Sequence, residues 1–455
     1  MILNFKDNFS RTFYLAYPVM LSQLGQVLVG VADSMMVGRL GAEPLAAASL
    51  ANSIFFVVLM FGIGVSMAIT PLVAMADGND NPKKISRIFN HGFVINMLTG
   101  FMLFLIIVFF SPMLNFLNQP KEVVVLAIPY LAIITLSLLP FMFFQTFKQF
   151  AEGLSQTKQA MYITLLCNAL NVFLNWIFIY GKLGIPAMGL NGAGWATLIS
   201  RVIMGMAIAY YVWKSKRYKP FELSFGFKNL NFPMVSKLLK IGVPTGFQFI
   251  FEVGAFSSAA IMMGWIGVNA LAAHQIAINL ASISYMMASG LSAAAMVRVG
   301  NQLGRKDIVS LREAGFTVFA MVTMFMSISA IIFIAFREFL PSLYIDDMEV
   351  IKMSATLLII AGLFQLSDGI QVVGLGALRG MSDVKVPTIV TLVAYWVIGL
   401  PLGYLFAFSW GMEEVGIWIG LLTGLTLTGI LLLYRFHYLS NKLLKAQQSS
   451  FSPVT

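Results

Sequence analysis

Residues 18–78 of this 455-residue chain return in register, without a gap, at residues 244–304. Pro18 meets Pro244, Gly38 meets Gly264, Gly41 meets Gly267, and Leu45-Ala46-Ala47 meets Leu271-Ala272-Ala273. Gly64, Ser66, Ala68 and Gly78 likewise meet Gly290, Ser292, Ala294 and Gly304. Fifteen of the 61 positions are identical, and small residues supply most of them, so hydrophobicity alone does not explain the match. One position further out, Gly153, Ser155, Lys158, Thr164 and Gly189 pair with Gly380, Ser382, Lys385, Thr391 and Gly416. A duplicated unit of this size predicts two similar halves facing one another across a central cavity.

Composition places those halves in lipid. Charged residues make up 11% of the chain and hydrophobic residues 59%, against roughly 25% charged in soluble domains. A spanning helix needs about 20 apolar residues, because only a helix satisfies its own backbone in hydrocarbon. That rule predicts spans near 12–37, 45–75, 87–111, 123–147, 159–180, 190–213, 238–263, 269–297, 313–336, 351–376, 386–408 and 415–436. The expected fold is an all-α polytopic membrane protein with twelve transmembrane helices in two pseudo-symmetric six-helix lobes. The lobes are read as 1–213 and 235–440, separated by a cytoplasmic linker, 214–234, and followed by a polar tail, 441–455. Six spans per half relate the halves by an axis along the membrane normal.

Basic residues set the orientation. Lys6, Arg11, Lys83, Lys84, Arg87, Lys148, Arg298, Arg305, Lys306, Arg379 and Lys385 collect at one set of helix ends, which predicts cytoplasmic termini. The net charge of +10 is scattered over separate short loops and argues against nucleic acid. The lone Cys167 excludes an internal disulfide. No phosphate-binding loop, metal-ligand cluster or nucleophile–base pair appears, so neither a primary pump built from this chain alone nor an enzyme is expected, and no cofactor.

Acidic residues inside the spans carry the chemistry. Asp33, Glu252 and Asp368 each interrupt an apolar stretch, at a cost of roughly 2.5–3.5 kcal/mol on insertion scales. Each is expected to face the bundle interior, protonated, ion-bound or paired. The duplication does not repeat them: Asp33 aligns with Ala259, Glu252 with Gln26, and Asp368 falls near Met142. Asn168, Asn171 and Asn175 share one helix face. With Thr197 on the next span, Asn171 and Asn175 outline an oxygen-rich pocket for Asp33. Two unlike polar sites follow, one per half.

Together the segments VADSMMVGRLG, LNWIFIYG with GLNGAGWAT, IFEVGAF with LAAHQIAIN, and LSDGIQVVGLGALRGMSDVKVP resemble the multidrug and toxic compound extrusion (MATE) family, in its NorM-like bacterial branch. The resemblance covers about residues 10–440. It implies an antiporter in a bacterial inner membrane that works by alternating access. Cationic amphipathic drugs and dyes would leave in exchange for Na+ or H+. It assigns Glu252, Tyr285 and Asp368 to a coupling-cation site and Asp33, Asn171, Asn175 and Thr197 to a polar cation or proton site. Position 175 is Asn, where some relatives carry a carboxylate. Asp33, Asp346 and Asp347 are expected to meet cationic substrate. The residues themselves leave Na+ and H+ both open, and the resemblance favours Na+. The expected partners are small organic cations and the bilayer, and the expected state is monomeric. The alternative, a lipid-linked oligosaccharide flippase of the same superfamily, would need a strongly basic cavity. Arg201 is the clearest mid-helix basic residue against three acids.

Overall fold

The structure is a computed structural model describing residues 5–116, 120–223, 226 and 230–451. Parts of the expected linker and tail, 224–225, 227–229 and 452–455, lie outside the described residues. Among the described residues, twelve helices are long and apolar enough to cross a membrane. They are α1 (Lys6–Gly38), α2 (Ala42–Gly78), α3 (Pro82–Asn115), α4 (Lys121–Gly153), α5 (Thr157–Tyr180) and α6 (Leu190–Lys214). The second half supplies α7 (Phe232–Ile266), α8 (Val268–Gly304), α9 (Ile308–Ala335), α10 (Met348–Gly380), α11 (Lys385–Ser409) and α12 (Glu413–Ser449). Each matches one of the twelve expected spans, α9 stopping one residue short of the expected 336. Most run several residues longer, because hydropathy reports only the stretch in hydrocarbon whereas backbone hydrogen bonding continues into the polar ends.

The chain forms two compact units, Leu21–Gly246 and Met1–Met20 together with Phe247–Thr455. The first part of each repeat's opening helix therefore packs with the other repeat's remaining helices. In both repeats the boundary falls two residues past a proline inside the helix, Pro18 in α1 and Pro244 in α7. Proline removes an i→i−4 hydrogen bond and permits a bend there.

This exchange explains which residues the duplication kept. A Cβ on Gly64 would lie 2.4 Å from the Gly246 Cα, so α2 packs backbone on backbone against α7 in the first unit. At the equivalent place in the other unit, a Cβ on Gly290 would lie 2.4 Å from Met20 Cγ and 2.9 Å from Met20 N. Gly153 and Gly380 repeat the theme, against the Thr70 and Met296 carbonyls at 2.9 and 2.7 Å. Gly41 and Gly267 have φ of 128° and 159° at the tight turns before α2 and α8, values that side chains with a Cβ rarely adopt.

Further close packing holds α11. A Cβ on Gly420 of α12 would fall 2.4 Å from Gly403 Cα, and one on Gly416 would fall 2.4 Å from Ala407 N. The Gly416, Gly420, Gly424 stripe is thus a helix-packing surface. Two π-helical stretches, Val393–Gly399 and Leu405–Ser409, interrupt α11.

Three basic residues expected from sequence as membrane-surface charges are buried instead, Arg379 among them. Arg298 donates to the Asn8 carbonyl at 2.9 Å, Thr12 Oγ1 at 2.5 Å and Asn8 Oδ1 at 2.5 Å, joining α8 to the start of α1. Lys148 lies 3.9 Å from Glu152 one turn on, both buried. Near the helix ends, local polar partners satisfied these charges where the loop-charge rule anticipated water. In the linker, the Tyr218 ring packs on Phe150 at 5.7 Å, and burial holds its phenol well above the ordinary range.

Candidate functional site

The first unit brings its predicted polar residues together. Asn175, fully buried on α5, donates from Nδ2 to Asp33 Oδ1 on α1 at 2.5 Å and to Asn171 Oδ1 at 3.2 Å. Asn171 Nδ2 in turn reaches Thr197 Oγ1 on α6 at 3.4 Å. Residues 171 and 175 sit one helical turn apart, which is why a single chain of amides can run from α1 to α6. Asn168, on the same face, meets Gly25 of α1: a Cβ there would lie 3.2 Å from Asn168 Nδ2.

The structure adds a cation that the sequence reading did not place here. Arg201, one turn beyond Thr197 on α6, lies within electrostatic range of Asp33 and of Tyr130. Its Nη1 donates to Ser137 Oγ at 2.8 Å. The guanidinium also stacks over Phe141 and Phe55, at 4.8 and 5.1 Å from their centroids. Tyr130 donates to Asn52 Oδ1 at 3.3 Å. The site therefore holds an acid on a chain of amides and a hydroxyl, with a guanidinium within its electrostatic range. Removing the Asn175 donor leaves Asp33 Oδ1 without this bond inside the unit. Asn175→Ala is expected to cost about 1–3 kcal/mol, read as a lowered thermal unfolding midpoint in detergent. An unchanged midpoint would mean that Asp33 draws nothing from α5.

The second unit assembles the other predicted group. Glu252 on α7 and Asp368 on α10 are both buried, and each lies within electrostatic range of the half-buried Tyr285 on α8. Three further residues join them. Gln371, fully buried three positions after Asp368, donates from Nε2 to Glu252 Oε1 at 3.3 Å. Tyr395, fully buried in the first π-helical stretch of α11, donates to Gln371 Oε1 at 2.8 Å. Such stretches reposition side chains relative to α-helical register and recur at functional sites. Arg379, at the end of α10, donates from Nη2 to Gln248 Oε1 on α7 at 3.0 Å. Its guanidinium lies 5.2 Å from the centroid of the Phe249 ring, in electrostatic range of Glu252.

Gln371 carries a readable signal, since three-residue spacing puts it on the Asp368 face. Tyr395 does not, because the π-helical stretch breaks the periodicity that would place it. The place of Arg379 at a helix end predicts a charge facing water, and the structure buries it.

Asp347 caps α10, accepting from the Glu349 and Val350 amides at 2.8 and 3.4 Å, and Asp346 beside it is exposed. His274 on α8 is buried and accepts at Nδ1 from Trp418 Nε1 at 3.2 Å, within the packed interior of its unit.

Twelve apolar helices among the described residues, an internal repeat and carboxylates within the spans of each unit define a multi-pass membrane protein with polar chemistry inside its bundles. The MatE family matches twice, over residues 18–177 and 244–405, in the two copies of the repeat. A probable multidrug resistance protein NorM of Mesorhizobium japonicum is 35% identical over 438 residues, covering 95% of this chain and 94% of that protein. Multidrug resistance protein MdtK of Yersinia pseudotuberculosis is 34% identical over 433 residues, covering 94% and 95%. The eukaryotic MATE transporter AtDTX14 superposes with a TM-score of 0.87 at 21% identity, over 97% of this chain and 99% of its own. The chain belongs to the MatE family.

Proposed function

We propose that this protein is a secondary active antiporter. It exports cationic amphipathic drugs and dyes across a bacterial inner membrane in exchange for Na+, with both termini in the cytoplasm. The observation that carries the reading is the buried pair Glu252 and Asp368, on different helices of one unit, with the Tyr285 oxygen beside them. Two carboxylates and a phenol oxygen are hard ligands suited to a small alkali cation. Relatives named as multidrug resistance proteins support an organic cation as cargo.

In this scheme the cargo enters from the cytoplasmic side, the lobes rock, and an external cation occupies the Glu252 and Asp368 site. Its charge replaces that of the cargo, which leaves. Carrying one unit charge against 100 mV costs about 2.3 kcal/mol. One-for-one exchange of cations cancels that electrical work and leaves the coupling-ion gradient to drive export. Asp33, with Asn171, Asn175 and Thr197, forms the polar site of the other unit, where Asp33 is available to cargo or to a proton.

The test is ethidium movement in proteoliposomes containing the purified protein. A Na+ gradient at fixed pH is expected to drive dye transport. Transport driven by pH gradients alone would replace Na+ with H+, and an absence of dye movement under either gradient would overturn the efflux reading.

A further inference from the structure

Arg379 lies one residue from the end of α10. Arginines so placed ordinarily extend toward the interfacial water, where the charge keeps its hydration. This one does the reverse. It is buried, bonded to Gln248 and stacked on Phe249, one turn of α7 before Glu252. Within the same unit the Glu252 carboxylate, in electrostatic range of the guanidinium, supplies an opposite charge.

The duplication shows that this arginine is not inherited scaffolding. The glycine pair Gly153 and Gly380 is kept between repeats, yet the residue before it is Glu152 in one and Arg379 in the other. The packing was copied and the charge was not. Arg379 thus shares a unit with the two carboxyls that also lack counterparts in the first repeat.

Resting on the reading of Glu252 and Asp368 as the coupling-cation site, we propose that Arg379 is its resident counter-charge, a positioning residue that sets the valence and affinity of the site. With both carboxyls ionised, the three groups carry one net negative charge, which one monovalent cation neutralises. Gln371, bonded to Glu252 and held by Tyr395, keeps the Glu252 carboxylate fixed while Arg379 draws on it from the Gln248 side. Without the arginine two negative charges remain, and the site holds its cation too tightly to release it within a transport cycle.

The experiment measures 22Na+ binding by purified protein in detergent, and Na+-driven ethidium efflux in proteoliposomes, for the wild type, Arg379→Gln and Arg379→Lys. Arg379→Gln is expected to bind Na+ at least about tenfold more tightly, a change of roughly 1.4 kcal/mol. Its maximal efflux should fall, and its Na+ binding should become sensitive to competition by Ca2+. Arg379→Lys, which keeps the charge, should restore wild-type Na+ affinity and resistance to Ca2+. Unchanged Na+ affinity in a folded Arg379→Gln protein overturns the proposal, as does an Arg379→Lys protein that behaves like Arg379→Gln. If Arg379→Gln fails to fold, Arg379→Lys against wild type decides, since a merely structural bidentate arginine would not be rescued by lysine. A wild-type protein that binds Na+ with these sensitivities but moves no ethidium overturns the efflux reading and leaves the role of Arg379 standing. A wild-type protein that binds no Na+ overturns both.

Discussion

Glu252→Gln is expected to abolish cation-driven dye export while the protein still inserts and folds. Gln is isosteric and keeps an oxygen to accept from Gln371 Nε2, a bond of 3.3 Å in the native protein. What disappears is the charge. At ~4 Å and an effective dielectric near 20, a carboxylate attracts a monovalent cation by about 4 kcal/mol. Even if Asp368 and Tyr285 recover a third of that, coupling falls by roughly a hundredfold, since each 1.36 kcal/mol is about tenfold. Asp368→Asn should lose coupling to a similar degree.

The two variants should differ in stability, and the difference is diagnostic. Arg379 remains buried when Glu252, an opposite charge within electrostatic range of it, is neutralised, and a buried charge left without compensation is destabilising. Glu252→Gln is therefore expected to lower the thermal midpoint in detergent. Adding Arg379→Met should recover stability but not transport. Asp368→Asn removes a charge whose charged neighbour is a second carboxylate, Glu252, and should raise the midpoint. Full export by Glu252→Gln in proteoliposomes, at normal protein content, would remove this site from the mechanism. Equal midpoints for the two variants would separate Arg379 from Glu252.

The repeat, the twelve spans and the buried acids were legible in the sequence because lipid enforces them. Hydrocarbon length sets span length, and a carboxyl in an apolar run stands out by composition alone. The amide chain from Asp33 through Asn175 and Asn171 to Thr197 was legible because Asn171 and Asn175 share a helix face and three glycine-flanked segments meet there. The countercharges were not. Arg201 and Arg379 come within electrostatic range of the acids through long side chains whose direction no periodicity records, and rules about helix ends favour the outward choice for Arg379. Tyr395 was hidden by the π-helical stretch, in a helix that packs closely on the glycines of α12. The exchange of opening helix segments between units was also hidden. Repeat identity says which residues correspond, and cannot say which copy's neighbours each one meets.

That exchange makes Gly64 a position where a single methyl group should do great harm to folding. Its neighbours are backbone atoms of α7, Gly246 Cα at 2.4 Å and Gly246 N at 2.6 Å from the place a Cβ would occupy. Backbone in a helix cannot swing aside as a side chain can, so Gly64→Ala must push α2 and α7 apart along their length. Overpacking of this kind costs about 3 kcal/mol or somewhat more, a large share of the 5–15 kcal/mol that holds a typical domain together. The equivalent Gly290 faces Met20 Cγ first, at 2.4 Å, with backbone atoms no nearer than 2.9 Å. Methionine is flexible enough to move, so Gly290→Ala should cost about 1 kcal/mol, near the low end of the overpacking range. Folded yield and thermal midpoint in detergent, measured for the two variants side by side, check the difference. The repeat alone predicts equal effects at these paired glycines, and only the crossing of α7 into the first unit predicts that alanine at 64 is much the worse. Equal losses would mean that the contact between Gly64 and Gly246 does not persist in the folded protein.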